Sequence, residues 1–525
     1  MSLPVLRNFT SLAVLGVLTS AAIGQTWERE EIGFESVQSR ARDLANKPYV
    51  AQSRESLPTW MNELTYDQRR DIRFNPNQAL WSTEKLPFRA MFLHPGLSPE
   101  SVTLNEFTSS HQQQIRLSEA FFNYGPLITK HGDLPADGGF SGFRIHAPLN
   151  RPDFYDELVV FQGTSYYRAL GKNQHYGLSS RGIAVNTGIE GTDGSEGPKE
   201  EFPSFREFWL RKPQENDTQA VFYALLDGPS YSGAYQFKVA PGNTTIVDVK
   251  AVLFARSAVQ RLGIAPMSSM FWFGENSRRR FDDFRPEVHD SDGLSIRTGS
   301  GERLWKPISN DSGKLDFTFF DMDKCDGFGL LQRDRRFSAY EDGEAAYNQR
   351  PSLWIEPTSD WGSGRVMLME IPTTSEHHDN TVAMWEPART PQPGDRVEFS
   401  YRQHWTMDED PSQADGHVVA TRTGICIGQP EQRTMTVEFV GNALSQPSDI
   451  PLTPLVQAVG AGADRVKIQG VTVQSMPEAR YRVAFQIAPS AEGGKLADVG
   501  PIELRCCLKR GENFLTETWV QRVTP

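Results

Sequence analysis

The chain has 525 residues, 38% hydrophobic and 23% charged, with a formal net charge of −12. An acidic balance of that size disfavours nucleic acid and anionic membranes as partners, because phosphate binding needs clustered Lys and Arg. The length exceeds one ordinary domain, and 43 Gly with 34 Pro favour many turns and short strands over long helices.

At the N-terminus, Arg7 precedes an apolar run from Leu12 to Leu18 and then the small residues Ala21, Ala22 and Gly24. That order predicts a secretory signal peptide over residues 1–24, since the run is too short to span a bilayer. Next, "FESVQSRARDLANKPY" places Val37, Ala41 and Leu44 at helical spacing, with Ser36 as cap and Pro48 past the end. Beyond it the period becomes two. "FRAMFLHPG", "VFYALLDGPSYSGAYQFKVAPG" and "TTIVDVKAVLFARS" read as strands, the second as a hairpin with Gly228-Pro229 to Gly233 at its tip.

Two charged segments stand out further on. "RPEVHDSDGLSI" (residues 285–296) gathers Glu287, His289, Asp290 and Asp292 beside a glycine turn, and "EHHDN" (376–380) carries Asp379. Neither fits a calcium loop or a zinc site. The first lacks the opening Asp and closing Glu of such a loop, and adjacent His377 and His378 cannot easily face one ion on an extended segment. "DMDKCDGFG" (321–329) puts Cys325 at a ligand position and Asp326 where a calcium loop needs Gly. A GxSxG elbow and a phosphate loop are both absent from the sequence. No metal and no cofactor are expected.

"EPARTPQPGDR" (386–396) reads as a linker, with three prolines and a glycine. After it, Val397, Phe399 and Tyr401 alternate, as do Met435, Val437 and Phe439, and Tyr481, Val483, Phe485 and Ile487. This predicts a small immunoglobulin-like sandwich over 397–525, a linker at 391–396 and a large β domain over 25–390. Four cysteines, Cys325, Cys426, Cys506 and Cys507, lack CxxC spacing. A disulfide from Cys426 to Cys506 or Cys507 and buried free thiols are both open. Tyr166, Tyr167, Tyr176, Trp305, Tyr347, Trp354 and Trp361 lie among polar residues and glycines. Such rings can stack on the apolar faces of sugars or simply fill a β core.

The stretches "LPFRAMFLHPG", "YGLSSRGIAVNT", "EEFPSFREFW", "YALLDGPSYSGAYQF", "GIAPMSSMFWFG", "RPEVHDSDGLSI", "GFGLLQRDRRFSAYED", "RPSLWIEP", "HDNTVAMWEP" and "LTETW" follow one another along the chain. In these the sequence resembles the periplasmic glucans biosynthesis protein G/D family. The resemblance implies an all-β protein: a large N-terminal β-sandwich, galactose-mutarotase-like, followed by a small immunoglobulin-like C-terminal β-sandwich. It implies the periplasm, β-1,2-glucan as ligand, and an inverting endo-β-1,2-glucanase activity or a non-hydrolytic role in glucan synthesis. On this resemblance Asp379 is the general acid and Asp290 the general base, with Tyr347 lining the same cleft. Tyr176, Trp305, Trp354, Trp361, Arg181 and His289 complete the expected substrate-binding set. Inverting hydrolysis needs the acid protonated near neutral pH, so Asp379 is expected in an apolar or anionic setting, with Trp361 and Trp385 as candidates to supply it. A membrane glucan synthase and a second copy of the chain are candidate partners, and the small domain's residues leave its contacts open.

Overall fold

The computed structural model describes residues 31–51, 57–97, 100–129, 131–135, 138–189, 197–277, 281–310, 313–408, 411, 415–491, 494–499 and 502–523. The expected signal peptide lies outside them. No helix among the described residues is long and apolar enough to cross a membrane.

Strands dominate, as their alternating pattern predicts. Among the described residues, ten strands form one sheet in the order Arg89–Leu93, Gly142–Ala147, Asp156–Gln162, Tyr166–Ala169, Ser179–Arg181, Leu262–Ser269, Thr381–Pro387, Gly364–Glu370 and Asp316–Met322, with Ile183–Val185 attached to Leu262–Ser269. A second sheet stacks on its inner face. Phe143, Phe161 and Tyr167 of the first meet Phe208, Phe222 and Phe237 of the second, with ring centroids 4.8 Å apart for Phe143–Phe208 and 5.0 Å for Phe161–Phe237. Because successive strand residues face opposite ways, burying Tyr167 in this core turns Tyr166 and Arg168 to the outer face.

The second sheet runs through both lobes. Its order starts at Leu452–Val459, Ile502–Arg510 and Thr518–Val523, passes to Arg303–Pro307, Gly293–Thr298, Cys325–Leu331 and Ser352–Pro357, and continues through Arg396–Thr406 and Thr245–Ala255 to the far edge. Thr518–Val523 joins Arg303–Pro307 in parallel, with Leu304 opposite Thr518 and Trp305 opposite Trp519. A four-stranded sheet, His417–Cys426, Gln429–Val440, Arg480–Pro489 and Val466–Met476, packs on this extension. Met435, Val437, Phe439, Val483, Phe485 and Ile487 point into that second core, as their alternation predicts.

Several expectations shift. Arg396–Thr406 pairs with Thr245–Ala255 on one side and Ser352–Pro357 on the other, and Phe399 and Tyr401 are buried in the large core. This strand, expected to open the small domain, is therefore a central strand of the large one. The proline-rich segment before it is a crossover from one sheet to the other, closed by Gly394 N–H donating to Ala255 O over 2.9 Å. In the helix Phe34–Ala45 the N-cap is Gly33, and Ser36 sits inside the first turn, where its hydroxyl accepts from Gly33 N–H and donates to Gly33 O. Val37 and Ala41 pack against Trp209, Ala234 and Val252 on the outer face of the large sheet. The predicted hairpin closes over Gly228–Ser230. Gly233 lies within its second strand, where a Cβ would meet Leu253 Cδ2 at 2.7 Å. All four cysteines are buried free thiols.

Candidate functional site

The two acidic segments are rooted on consecutive residues. Asp290 follows the short strand Val288–His289, and its N–H donates to Met270 O over 2.8 Å. The Asp379 turn is fixed by its neighbour Asn380, which is buried. Asn380 Oδ1 accepts from Phe271 N–H at 2.7 Å, and its amide donates to Phe271 O at 3.0 Å and Ile371 O at 2.9 Å. Met270 and Phe271 thus hold both aspartates, although the two segments are far apart in sequence.

Their settings differ. Asp290 is buried and accepts a hydrogen bond from Arg350 Nη1 at 2.5 Å. Burial pushes its carboxyl above the ordinary aspartate range; Arg350 and Arg168 restrain the rise, and the Asp379 charge adds to it. Asp379 is exposed. The Asp379 charge also acts on Tyr166, whose hydroxyl is raised first by burial while Arg168 and Ser179 work against the rise. Tyr166, Arg168, Asp290, Arg350 and Asp379 therefore form one electrostatic cluster.

A ring of hydrogen bonds surrounds it. Tyr347 sits on a single turn, Tyr347–Gln349, and donates its hydroxyl to Glu376 Oε2 at 2.5 Å. Arg285 donates to both oxygens of Glu376, to Asp283 and to Asp342. Burial alone would raise Glu376, but Arg285 and Tyr347 outweigh it and hold it below the usual carboxylate range. The Arg350 guanidinium lies 4.2 Å over the Tyr347 ring. Tyr176 donates to Glu157 Oε1, and Arg144 pairs with Glu157 Oε2 at 2.9 Å. Burial raises the Tyr176 hydroxyl, with Glu157 adding to the rise and Arg144 and Arg168 opposing it. Arg181 lies opposite Tyr166 in register, hence on the same outer face.

Other expected residues lie elsewhere. Trp305 and Trp354 are 3% and 2% exposed and belong to the core between the lobes. Tyr167 is in the large core. Trp361 packs on Trp385 and donates Nε1–H to Ser400 O at 3.2 Å. It adjoins the Gly364–Pro387 end of the strand pair, whereas Asp379 adjoins the Glu370–Thr381 end. Seven paired residues put about 20 Å between them. The apolar setting expected around Asp379 from Trp361 and Trp385 is therefore not supplied by them.

His289 is fully buried behind the site. Its Nδ1 faces Gln332 Oε1 at 2.9 Å, and its Nε2 faces Glu287 Oε2 at 2.8 Å and Asp292 Oδ1 at 3.5 Å. Burial works against a charge on the ring, but Asp292 and Glu287 outweigh it and raise His289 to about 9. The ligand atoms of Glu287, His289 and Asp292 lie within 4.8 Å of one another, close enough to surround a cation. Their mutual contacts, with Asp292 Oδ2 taking the N–H groups of Arg333 and Asp334, already tie the three side chains to one another and to the backbone. The chain bends between Asp290 and Asp292, so the two carboxylates serve different networks.

Sequence alone does not single out Arg350, Glu376 or Asn380, yet each lies in a stretch that carries the reading: "RPSLWIEP" or "EHHDN". Arg168 carried one weak signal, its place two residues after Tyr166 on a strand.

Comparison with known proteins covers nearly the whole described chain. The family model for "Periplasmic glucan biosynthesis protein, MdoG" matches residues 32–523. "Glucans biosynthesis protein G" of Bradyrhizobium diazoefficiens is 40% identical over 522 residues, covering 99% of each chain. The proteins of that name from Ralstonia nicotianae and Shewanella frigidimarina are each 41% identical, over 94% and 93% of this chain and 96% and 84% of their own. Both lobes and both aspartate segments fall within these matches, and the chain belongs to the periplasmic glucan biosynthesis protein family.

Proposed function

We propose that this chain acts in the periplasm on β-1,2-glucan and hydrolyses it with inversion, Asp379 as general acid and Asp290 as general base. The relatives' printed names support the glucan, and the resemblance in the two aspartate segments supports the linkage and the roles. The observation that carries the reading is the pair of carboxylates rooted on Met270 and Phe271 in unlike settings. Glycosidic cleavage by inversion needs such a pair: one carboxylic acid protonates the leaving oxygen, and one carboxylate activates water on the opposite face of the ring. Arg350 and Arg168 favour the ionised form of Asp290, as a base requires. Asp379 is open to solvent, where a glucan chain can reach it. Tyr166, Tyr176, Arg168 and Arg181 share the outer face beside it and offer rings and donors to sugar hydroxyls.

The test is release of short oligosaccharides from linear β-1,2-glucan by the purified protein, with the anomer followed by NMR. Asp379→Asn and Asp290→Asn should each lower the rate about 10²–10⁴-fold, the range for removing a general acid or base, while glucan still binds. Full activity in both variants would end the assignment. The exposure of Asp379 also favours a second reading, a protein that binds or remodels glucan in its synthesis without hydrolysing it. Binding without oligosaccharide release would select it.

A further inference from the structure

Glu517 lies in the "LTETW" stretch, far from the aspartates in sequence, and none of the chemistry above uses it. It is 1% exposed and makes a two-pronged pair with Arg333, Nη1 to Oε1 at 2.5 Å and Nη2 to Oε2 at 3.0 Å. Arg333 is 5% exposed, and its guanidinium lies 3.6 Å over the Trp305 ring. The pair closes with backbone from the small lobe: Val418 N–H donates to Glu517 Oε1 at 2.8 Å, and Arg333 Nη1 donates to Val418 O at 2.8 Å.

Arg333 belongs to a short segment that grips the candidate site from behind. Its N–H, with that of Asp334, donates to Asp292 Oδ2, two residues from Asp290. Gln332 donates to His289 O at 2.8 Å and Tyr347 O at 3.4 Å, and accepts from the His289 ring. Arg335 donates to Arg350 O. One segment, Gln332–Arg335, therefore touches the bend carrying Asp290 and the turn carrying Tyr347 and Arg350. Its anchor in the small lobe is a buried ion pair, which costs desolvation that well-packed apolar residues would avoid. Such pairs are best explained where they fix one arrangement against alternatives.

We propose that Glu517 is a positioning residue for the candidate site: through Arg333 and the Gln332–Arg335 segment, the small lobe sets the placement of Asp290, Tyr347 and Arg350. The catalytic half of this inference rests on the proposed hydrolysis; the structural half does not. The experiment compares Glu517→Gln, which keeps size and removes charge, with Glu517→Asp, which keeps charge, in the full chain. Amide hydrogen exchange is followed by mass spectrometry, and kcat and KM are measured on linear β-1,2-glucan. In Glu517→Gln, exchange over 288–294 and 331–336 should quicken about tenfold, as local opening does, while the hairpin Ala220–Ala240 keeps its protection. The value of kcat should fall about 10–100-fold with KM within about twofold, as expected for misplaced groups, and Glu517→Asp should recover part of both. Should Glu517→Gln fail to fold, the same comparison is made between Glu517→Asp and the unsubstituted chain. Unchanged exchange in those segments, or uniform quickening across both lobes, overturns the proposal. A parent chain that does not cleave glucan overturns the proposed hydrolysis instead, and the exchange pattern still decides the role of Glu517.

Discussion

Asn380 shows how one uncharged side chain can hold a reactive neighbour. Its three hydrogen bonds satisfy Phe271 N–H, Phe271 O and Ile371 O, and the two to Phe271 are buried, where no water replaces the amide if it is lost. Asn380→Ala should cost about 3 kcal/mol of stability, measurable by denaturant unfolding, and should weaken glucan cleavage without touching substrate. Glu376 gives a pH test. Its carboxyl is held below the usual range in the folded chain, so the stability it contributes is present above its unfolded value and is lost as pH falls through the folded one. Chain and Glu376→Gln variant should differ by about 1 kcal/mol near neutrality, because solvent screens so accessible a group, and converge in acid. Asp290 moves the other way. Because burial raises it, the acid limb of kcat/KM should lie above the ordinary aspartate range, and an acid limb within that range would count against Asp290 as the base.

Strand by strand, the period-two pattern was enough to place the hairpin Ala220–Asp227 with Tyr231–Ala240, the long strand Thr245–Ala255 and the alternating residues of the small core. The same pattern could not say which sheet owns Arg396–Thr406, because alternation reports burial of one face and not the identity of neighbouring strands. Tryptophans were the least legible of the site expectations. Trp305, Trp354 and Trp361 sit near polar residues in sequence, yet strand pairing turns Trp305 and Trp354 into a core and Trp361 packs half-buried on Trp385, which only the fold reveals. Trp361→Ala should therefore lower stability by about 3 kcal/mol, as for other aromatic truncations, and leave KM for glucan unchanged; a raised KM would return Trp361 to the sugar-binding set. The aspartates are proposed on the opposite ground: their segments resemble a family, whereas Arg168 and Arg350 act through distances that no spacing encodes.

Across the whole molecule, the two lobes are one construction. Arg303–Pro307 is a sheet edge unless Thr518–Val523 covers it, and Trp305 and Trp354 face the small lobe's core. A fragment ending at Thr406 should thus expose both an open edge and a large apolar surface, and should aggregate on size-exclusion chromatography rather than run as a monomer. Pairing Leu304 with Thr518 also joins segments more than two hundred residues apart in sequence. Contacts of such high sequence separation form slowly, because loop closure must precede their reward. The chain is consequently exposed for longest along the seam where its last strand belongs, and the rate at which it matures should be set there, by the arrival of a handful of residues near its C-terminus.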